Sequence, residues 1–181
     1  MGTPKALLCW KGEPLVRRVA TALRDGGCER VLIVVGPGET GREVAGAVGG
    51  LSGVETTVNP EPERGMLSSV QIGLSVLGKI AFLVCPCDLP RLSAEHVRSV
   101  VAGWDGAGDA IVAPTREGQR GHPTLFGPEL VAAAQSLNPA QFGLNQLLRM
   151  RAVTEINVDD DGPFRDADTP AAWSALLEQE Q

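Results

Sequence analysis

The sequence lacks the features that mark several large classes of protein. It has no Lys/Arg-rich run and a formal net charge of -6, which argues against nucleic-acid binding because such binding rests on basic side chains that meet phosphates. No apolar stretch approaches the roughly 20 residues that cross a bilayer, and the first residues do not have the charged-then-apolar order of a secretory signal. We therefore expect a cytoplasmic protein that binds neither nucleic acid nor a membrane.

Residues suited to disulfides or zinc are also scarce. Of the four cysteines, two stand alone, and Cys85 and Cys87 form a C-x-C inside an apolar run without a second pair or a ligand-spaced histidine. The pattern favours buried thiols over a metal site. Of the two histidines, His96 falls in a helical pattern and is interpreted as a surface or helix-packing residue, which leaves His122 as the candidate functional histidine.

What the sequence does contain is enough apolar material for one core, 43% of 181 residues, and it predicts a single domain over residues 1–181. Apolar, β-branched runs alternate with helical patterns. The predicted strands are Val31–Val35, Val54–Val58, Ile80–Val84, Ala110–Ala113 and Val153–Val158. The predicted helices are Pro14–Arg24, Thr40–Val48, Leu67–Leu77, Ala94–Trp104, Glu129–Leu137, Leu144–Met150 and Thr169–Glu178. The alternation predicts an α/β fold with one doubly wound, mostly parallel sheet and helices on both faces.

Two segments depart from this alternation. Thr115–Gly121 is a polar turn between AIVAP and HPTLF, and it predicts a small β-hairpin inserted in the sheet. At the start, GTPKALL leads almost at once into the first helix, so the sequence shows no clear first strand and no glycine-rich turn of the kind that nucleotide-binding α/β domains place there. Gly36-Pro37-Gly38 has too few glycines to replace it and is interpreted as a plain turn.

Asp88 is the strongest candidate for a functional residue. It follows the predicted strand Ile80–Val84 within CPCDLP, and ligands of open α/β sheets bind at the carboxyl ends of the strands. A hard oxygen ligand there suits Mg²⁺, which takes one or two protein carboxylates plus phosphate oxygens and water. The alternative is a loop aspartate that caps the following turn.

A second group of polar residues precedes the predicted helix Leu67–Leu77. Asn59 follows a strand, and Gly65, Ser68 and Ser69 lie at the helix start, where free N–H groups can hold an anion or a base edge. Ordinary helix capping by Ser68 or Ser69 explains the pattern equally well. Lys5, which follows a proline, can offer a mobile charge to a polyphosphate, although a surface lysine is the simpler interpretation.

Two further segments carry candidate groups. Gly121 and His122 close the hairpin turn, where the imidazole can donate to a phosphate or substrate oxygen, or serve only the turn. Near the C-terminus, the acidic run at 159–161 is interpreted as a solvated turn. Asp166 or Asp168 can supply a second carboxylate to a metal held by Asp88, and Asp168-Thr-Pro is also a helix-start signal.

Taken in order, these segments resemble one family. GTPKALL, the G-x-P-L segment at Gly12–Leu15, RGMLSSVQIGL, CDLP, RGHPTLF and DADTP resemble the nucleotidyltransferases that activate molybdenum cofactor, particularly the cytidylyltransferase branch. The resemblance spans nearly the whole chain, and it implies the Rossmann-like fold of these enzymes. GHP and the serine-containing helix start favour the cytidylyl over the guanylyl branch.

The resemblance implies a reaction and a set of roles. A phosphate on a pterin-type acceptor attacks the α-phosphate of a nucleoside triphosphate, CTP being favoured, with Mg²⁺ between enzyme and phosphates, and pyrophosphate leaves. The implied roles, by residue, are metal binding by Asp88 and Asp168 or Asp166, charge neutralisation by Lys5, nucleotide binding by Asn59, Gly65, Ser68 and Ser69, and acceptor binding by Gly121 and His122. A molybdoenzyme or an accessory protein is the implied macromolecular partner.

The start of the chain departs from the family pattern. The family normally has an apolar strand and a glycine-rich, arginine-containing turn before the G-x-P-K segment, and here Met1 stands at the last place of that turn. On that basis the chain is expected to be N-terminally truncated relative to the family, and weakly active or inactive as printed.

Two other functions fit the same residues. One is a nucleotidyltransferase of the same fold that acts on a sugar phosphate, phospholactate or another small phosphorylated acceptor. The other is a non-catalytic accessory protein that binds molybdopterin and delivers it. The missing loop favours the accessory protein, whereas Lys5, Asp88 and Asp168 together favour an enzyme, because a carrier needs no metal carboxylates.

Overall fold

The computed structural model describes residues 4–165, 173, 174 and 176. Its strands are β1 (Cys9–Trp10), β2 (Glu13–Pro14), β3 (Val31–Val35), β4 (Val54–Val58), β5 (Phe82–Val84), β6 (Ile111–Arg116), β7 (Gln119–Arg120), β8 (Thr124–Phe126) and β9 (Thr154–Asn157). Its α-helices are α1 (Leu15–Asp25), α2 (Gly38–Ala47), α3 (Met66–Leu77), α4 (Ala94–Ala102), α5 (Leu130–Ser136) and α6 (Asn145–Met150). Short 3-10 helices cover Lys5–Leu7 and Pro62–Arg64.

The predicted α/β class is confirmed, with helices on both faces of the strands. Side chains alternate along each strand, so that Val31 of β3 packs with α1 and α4, while Gly73 of α3 approaches Val34 on the opposite face. In the same way Phe126 of β8 joins a core with α3 and α5, and Leu125 joins one with α4. This alternation is the expected result of the two-residue period of a strand.

The hydrogen-bonded pairs fall into separate sheets where one continuous sheet was predicted. β3 and β4 pair in parallel, and β5, β8, β6, β7 and β9 form a five-stranded sheet in which β6 and β9 are parallel and β8 is antiparallel to its neighbours β5 and β6. Within the described residues, β3 pairs only with β4 and β5 only with β8. One edge of β3 and one edge of β5 therefore have no paired strand in the described part of the chain. Both of these strands pack against α3.

Turns in the structure shift the first residue of several predicted strands and helices. The strand predicted from Ile80 begins at Phe82, because α3 ends at Gly78, whose φ of 79° turns the chain. The helix predicted from Thr40 begins at Gly38, so the glycine-proline-glycine segment leads straight into a helix. β1 and β2 form a small hairpin that the sequence did not predict.

The predicted hairpin insertion is present, but it extends further than Thr115–Gly121. β6 continues to Arg116 and pairs with β7 through the two-residue turn Glu117-Gly118, whose φ angles of 52° and 78° are those of the tight turns that join antiparallel strands. β8 falls in the HPTLF segment of the predicted hairpin, for which no strand bounds were predicted, and it lies between β5 and β6. The chain thereby carries the residues after the hairpin back beside the end of β5.

Of the predicted helix Thr169–Glu178, only Trp173, Ser174 and Leu176 are described, and they are helical. Leu176 is buried with Trp10 and Leu15, and the rings of Trp10 and Trp173 lie 5.8 Å apart. These contacts place the last described residues against the first hairpin. In the part of the chain that is described, no helix is long and apolar enough to span a membrane.

Candidate functional site

The site begins with the loop that follows β5. Asp88 lies in this loop with a side chain that is 15% exposed, and the Nζ of Lys5 is 3.5 Å from its Oδ2. The two residues are 83 positions apart in the chain, so the fold brings together a carboxylate and a cation that the sequence proposed separately. This carboxylate already has a cationic partner, and a divalent cation bound to Asp88 would displace or share that contact.

The cysteines near Asp88 do not offer a competing metal site. Burial raises the pKa of Cys28 and that of Cys87 to about 11, and burial raises the pKa of Cys85 further, so all three are neutral thiols at neutral pH. The prediction of buried thiols is consistent with these three cysteines, which are partly buried, but it is wrong for Cys9, which is exposed. Among residues 4–165, 173, 174 and 176, no group of three or more His, Cys, Asp or Glu side chains is arranged to hold a metal. Asp88 is thus a carboxylate that would rely on phosphate oxygens and water to complete a coordination shell.

Asn59, Ser68 and Ser69 are brought together as predicted, directly beyond the end of β4. The Asn59 side chain is buried, and its Nδ2 donates to Ser68 Oγ at 2.8 Å and Ser69 Oγ at 3.0 Å. Its Oδ1 accepts from the N–H of Glu61 at 3.0 Å, and Ser68 Oγ donates to Gly65 O at 2.7 Å. This network fixes the start of α3 after Gly65, whose φ is 93°, and so shapes the loop that faces the carboxyl ends of the strands.

Replacing Asn59 with alanine should therefore destabilise the fold. Two serine hydroxyls and one N–H would lose a buried partner, so we expect the free energy of unfolding to fall by about 2–3 kcal/mol. Asn138→Ala is the matched control, because Asn138 also accepts from the N–H two residues ahead, at 3.0 Å, but is exposed. Urea unfolding of both variants measures the difference, and equal losses would contradict the role given to the buried network.

Gly121 and His122 line a cavity of about 260 Å³ next to the Asp88 loop. Its other lining residues are Pro86, Leu89, Gln119, Arg120, Pro163 and Phe164. Gly121 is required there, because a Cβ at this position would lie 2.5 Å from Pro163 O and 2.7 Å from the Phe164 ring. The backbone N–H of His122 donates to the same carbonyl at 2.9 Å, so the hairpin and the segment around Pro163 form one wall.

The acidic turn is solvated at Asp159 and Asp160, as predicted, and partly buried at Asp161, while Asp166 and Asp168 lie outside the described residues. Asp161 pairs with Arg91 at 3.2 Å and with Arg165 at 3.1 Å, and Asp160 Oδ2 is 2.9 Å from His96 Nε2. His96 is buried and contacts the turn, which goes beyond the predicted helix packing. The missed signal was the spacing Ser93-x-x-His96, in which the histidine takes the place of the usual Glu or Gln of a capping box.

Comparisons with known proteins identify the family of this chain. Residues 1–156 match the profile of the MobA-like NTP transferase domain. The molybdenum cofactor cytidylyltransferase of Escherichia coli K12 is 27% identical over 94% of this chain and 85% of its own length. The nicotine blue oxidoreductase of Paenarthrobacter nicotinovorans is 31% identical over 96% of this chain and 88% of its own length.

A solved structure supports the fold. Rv0371c of Mycobacterium tuberculosis H37Rv, in complex with manganese, superposes with a TM-score of 0.80 at 22% identity, and the match covers 98% of this chain and 93% of that one. At this identity the comparison shows a common fold.

Proposed function

Because the chain belongs to the MobA-like NTP transferase family and is a nucleotidyltransferase, we propose that it transfers CMP from CTP to a phosphorylated acceptor such as molybdopterin. An acceptor phosphate oxygen attacks the α-phosphorus and forms the new P–O bond. The bond from the α-phosphorus to the oxygen that bridges to the β-phosphorus breaks, and pyrophosphate leaves with that electron pair. The observation that carries the proposal is the contact between Lys5 and Asp88 beside the cavity.

The residues of the loop after β5 fit a divalent cation. Asp88 is a hard oxygen donor that is largely buried and already faces a cation, at 3.5 Å, and Mg²⁺ bound there would neutralise charge on the triphosphate. Asp88 holds the ion, and Lys5, whose side chain is 36% exposed, contributes its charge to the phosphates. No covalent enzyme intermediate is needed, because positioning and charge neutralisation supply the catalysis.

The nucleotide and the acceptor are assigned to different segments. Gly65 and the start of α3, where N–H groups at a helix end can bind an anion or a base edge, are assigned to the nucleotide. The cavity lined by Gly121 and His122 is assigned to the acceptor. Asp166 and Asp168 stay candidates for a second metal carboxylate. The cytoplasmic location and a molybdoenzyme or accessory-protein partner also stay predictions.

Pyrophosphate release with each of CTP, GTP, ATP and UTP, in the presence of Mg²⁺ and molybdopterin, tests the proposal. We expect release with CTP above the other three. Nucleotide binding and turnover are separate steps, and slow turnover does not exclude binding. Nucleotide binding measured by calorimetry should therefore accompany turnover.

The outcomes separate the competing functions. A preference for GTP would show that the chain transfers GMP and not CMP. Turnover only with a sugar phosphate would show that molybdopterin is not the acceptor. Molybdopterin binding without binding or turnover of any nucleotide would favour the accessory protein. The relative named nicotine blue oxidoreductase gives a second candidate, an oxidoreductase. A change in the oxidation state of nicotine blue on incubation with the chain and a reductant, with no pyrophosphate release, would favour it.

A further inference from the structure

His96 is a buried polar side chain whose contacts the proposed chemistry does not use. It is 7% exposed and lies in the first turn of α4. Its Nδ1 accepts from the N–H of Ser93 at 3.2 Å, while the Ser93 hydroxyl accepts from the N–H of His96 at 3.4 Å. Since Nδ1 is an acceptor, the network assigns the ring proton to Nε2.

The proton on Nε2 points to the acidic turn at residues 159–161. Nε2 donates to Asp160 Oδ2 at 2.9 Å, and Asp160 Oδ1 accepts from the N–H of Gly162 at 2.7 Å. Burial opposes the ionisation of Asp160, but the hydrogen bonds from Gly162 and His96 outweigh it and hold the pKa of this carboxyl below its ordinary value. A Cβ at Gly162 would lie 2.6 Å from His96 Cε1, so the imidazole and the turn are in close contact.

The same turn continues into the wall of the cavity. Pro163 O accepts from the N–H of His122 at 2.9 Å, and both Pro163 and Phe164 line the cavity. Arg91, which follows the Asp88 loop, pairs with Asp161 at 3.2 Å and adds a second tie between that loop and the turn. A chain of contacts thus runs from His96 through Asp160 to Pro163 and His122.

We propose that His96 is a positioning residue that acts through Asp160 to hold residues 160–165 as the wall of the acceptor cavity. This inference rests on the proposed function, because it assigns that cavity to the phosphorylated acceptor. It gives the acidic turn a role in acceptor affinity. The start of α3, on which nucleotide binding depends, makes none of these contacts, so affinity for CTP should not depend on His96.

Two substitutions separate this role from simple helix capping. His96→Gln can accept from Ser93 and donate to Asp160. His96→Glu keeps the capping box, for which Glu is a preferred residue, but it sets a carboxylate against Asp160. We expect His96→Glu to weaken molybdopterin binding at least tenfold, with CTP binding in the presence of Mn²⁺ unchanged within about threefold. His96→Gln should stay close to wild type. Adding Asp160→Asn to His96→Glu should restore acceptor binding, since the amide can donate to the new carboxylate.

Amide hydrogen exchange gives a readout that needs neither nucleotide nor acceptor. The N–H groups of Gly162 and His122 should exchange faster in His96→Glu than in wild type or His96→Gln. Unchanged exchange, or faster exchange with unchanged molybdopterin affinity, would overturn the positioning role while leaving the proposed function intact. If the wild type binds no molybdopterin, the proposed acceptor is wrong, and the exchange of the His122 N–H still decides whether His96 holds the wall.

Discussion

Asp88→Asn should lower Mg²⁺-dependent nucleotidyl transfer by about 10²-fold or more, since the amide keeps the shape of the side chain but removes the charge that holds the cation against the phosphates. The variant should remain folded. Its partner Lys5 is 36% exposed and 3.5 Å away, and a pair with that exposure contributes at most about 1 kcal/mol to stability. Loss of activity therefore measures the chemistry of the site.

Two measurements make this test specific. The first is pyrophosphate release as a function of Mg²⁺ concentration. The second is binding of Mn²⁺ in the presence of CTP, which can be followed even when turnover is weak. We expect both to be lost in Asp88→Asn, whereas CTP binding without metal should change little. Turnover within a few-fold of wild type would show that Asp88 only caps its loop, which was the simpler interpretation of the sequence.

Asp109→Asn is the matched control for this prediction. Asp109 also forms an ion pair, with Arg151 at 2.9 Å, but it is exposed and precedes β6. Because β5 and β6 are each antiparallel to β8, they run in the same direction, so Asp109 and Asp88 lie at opposite ends of the strands. The control should keep its dependence on Mg²⁺, and its stability should change by less than about 1 kcal/mol.

The parts of this site that could be predicted are those whose position in the fold depends on a short segment of sequence. Val31–Val35 and Val54–Val58 were predicted with the bounds that the structure has, because a run of β-branched residues between two turns favours a strand over a helix. Asp88 was predicted from its place after a strand, since the carboxyl ends of parallel strands lie together.

The parts that could not be predicted depend on contacts between distant segments. His96 and Asp160 are 64 residues apart, and nothing in either segment names the other. β8 is only three residues long, too short for its alternation to be distinguished from a loop. The role of Asn59 in ordering the start of α3 was not predicted, since capping was considered only for Ser68 and Ser69, and the burial of Asn59 depends on packing that no local pattern encodes.

Gly121→Ala should have the largest effect on the cavity. The added methyl would lie 2.5 Å from Pro163 O and 2.7 Å from the Phe164 ring, and a backbone oxygen held by the N–H of His122 cannot move aside as a flexible side chain can. We expect a loss of about 2–3 kcal/mol in the free energy of unfolding and a molybdopterin affinity at least tenfold weaker.

Gly46→Ala is the control, because a Cβ at this position in α2 meets nothing within 4 Å, and alanine in a helix should stabilise by about 0.5–1 kcal/mol. Urea unfolding and molybdopterin titration measure both variants. Phe164→Ala added to Gly121→Ala removes the ring contact but leaves the carbonyl in place, so recovery should be partial. Full recovery would mean that the ring alone makes the glycine necessary. Unchanged stability and affinity in Gly121→Ala would mean that the cavity wall moves aside with little loss of free energy. A cavity with such a wall could not distinguish one phosphorylated acceptor from another by shape.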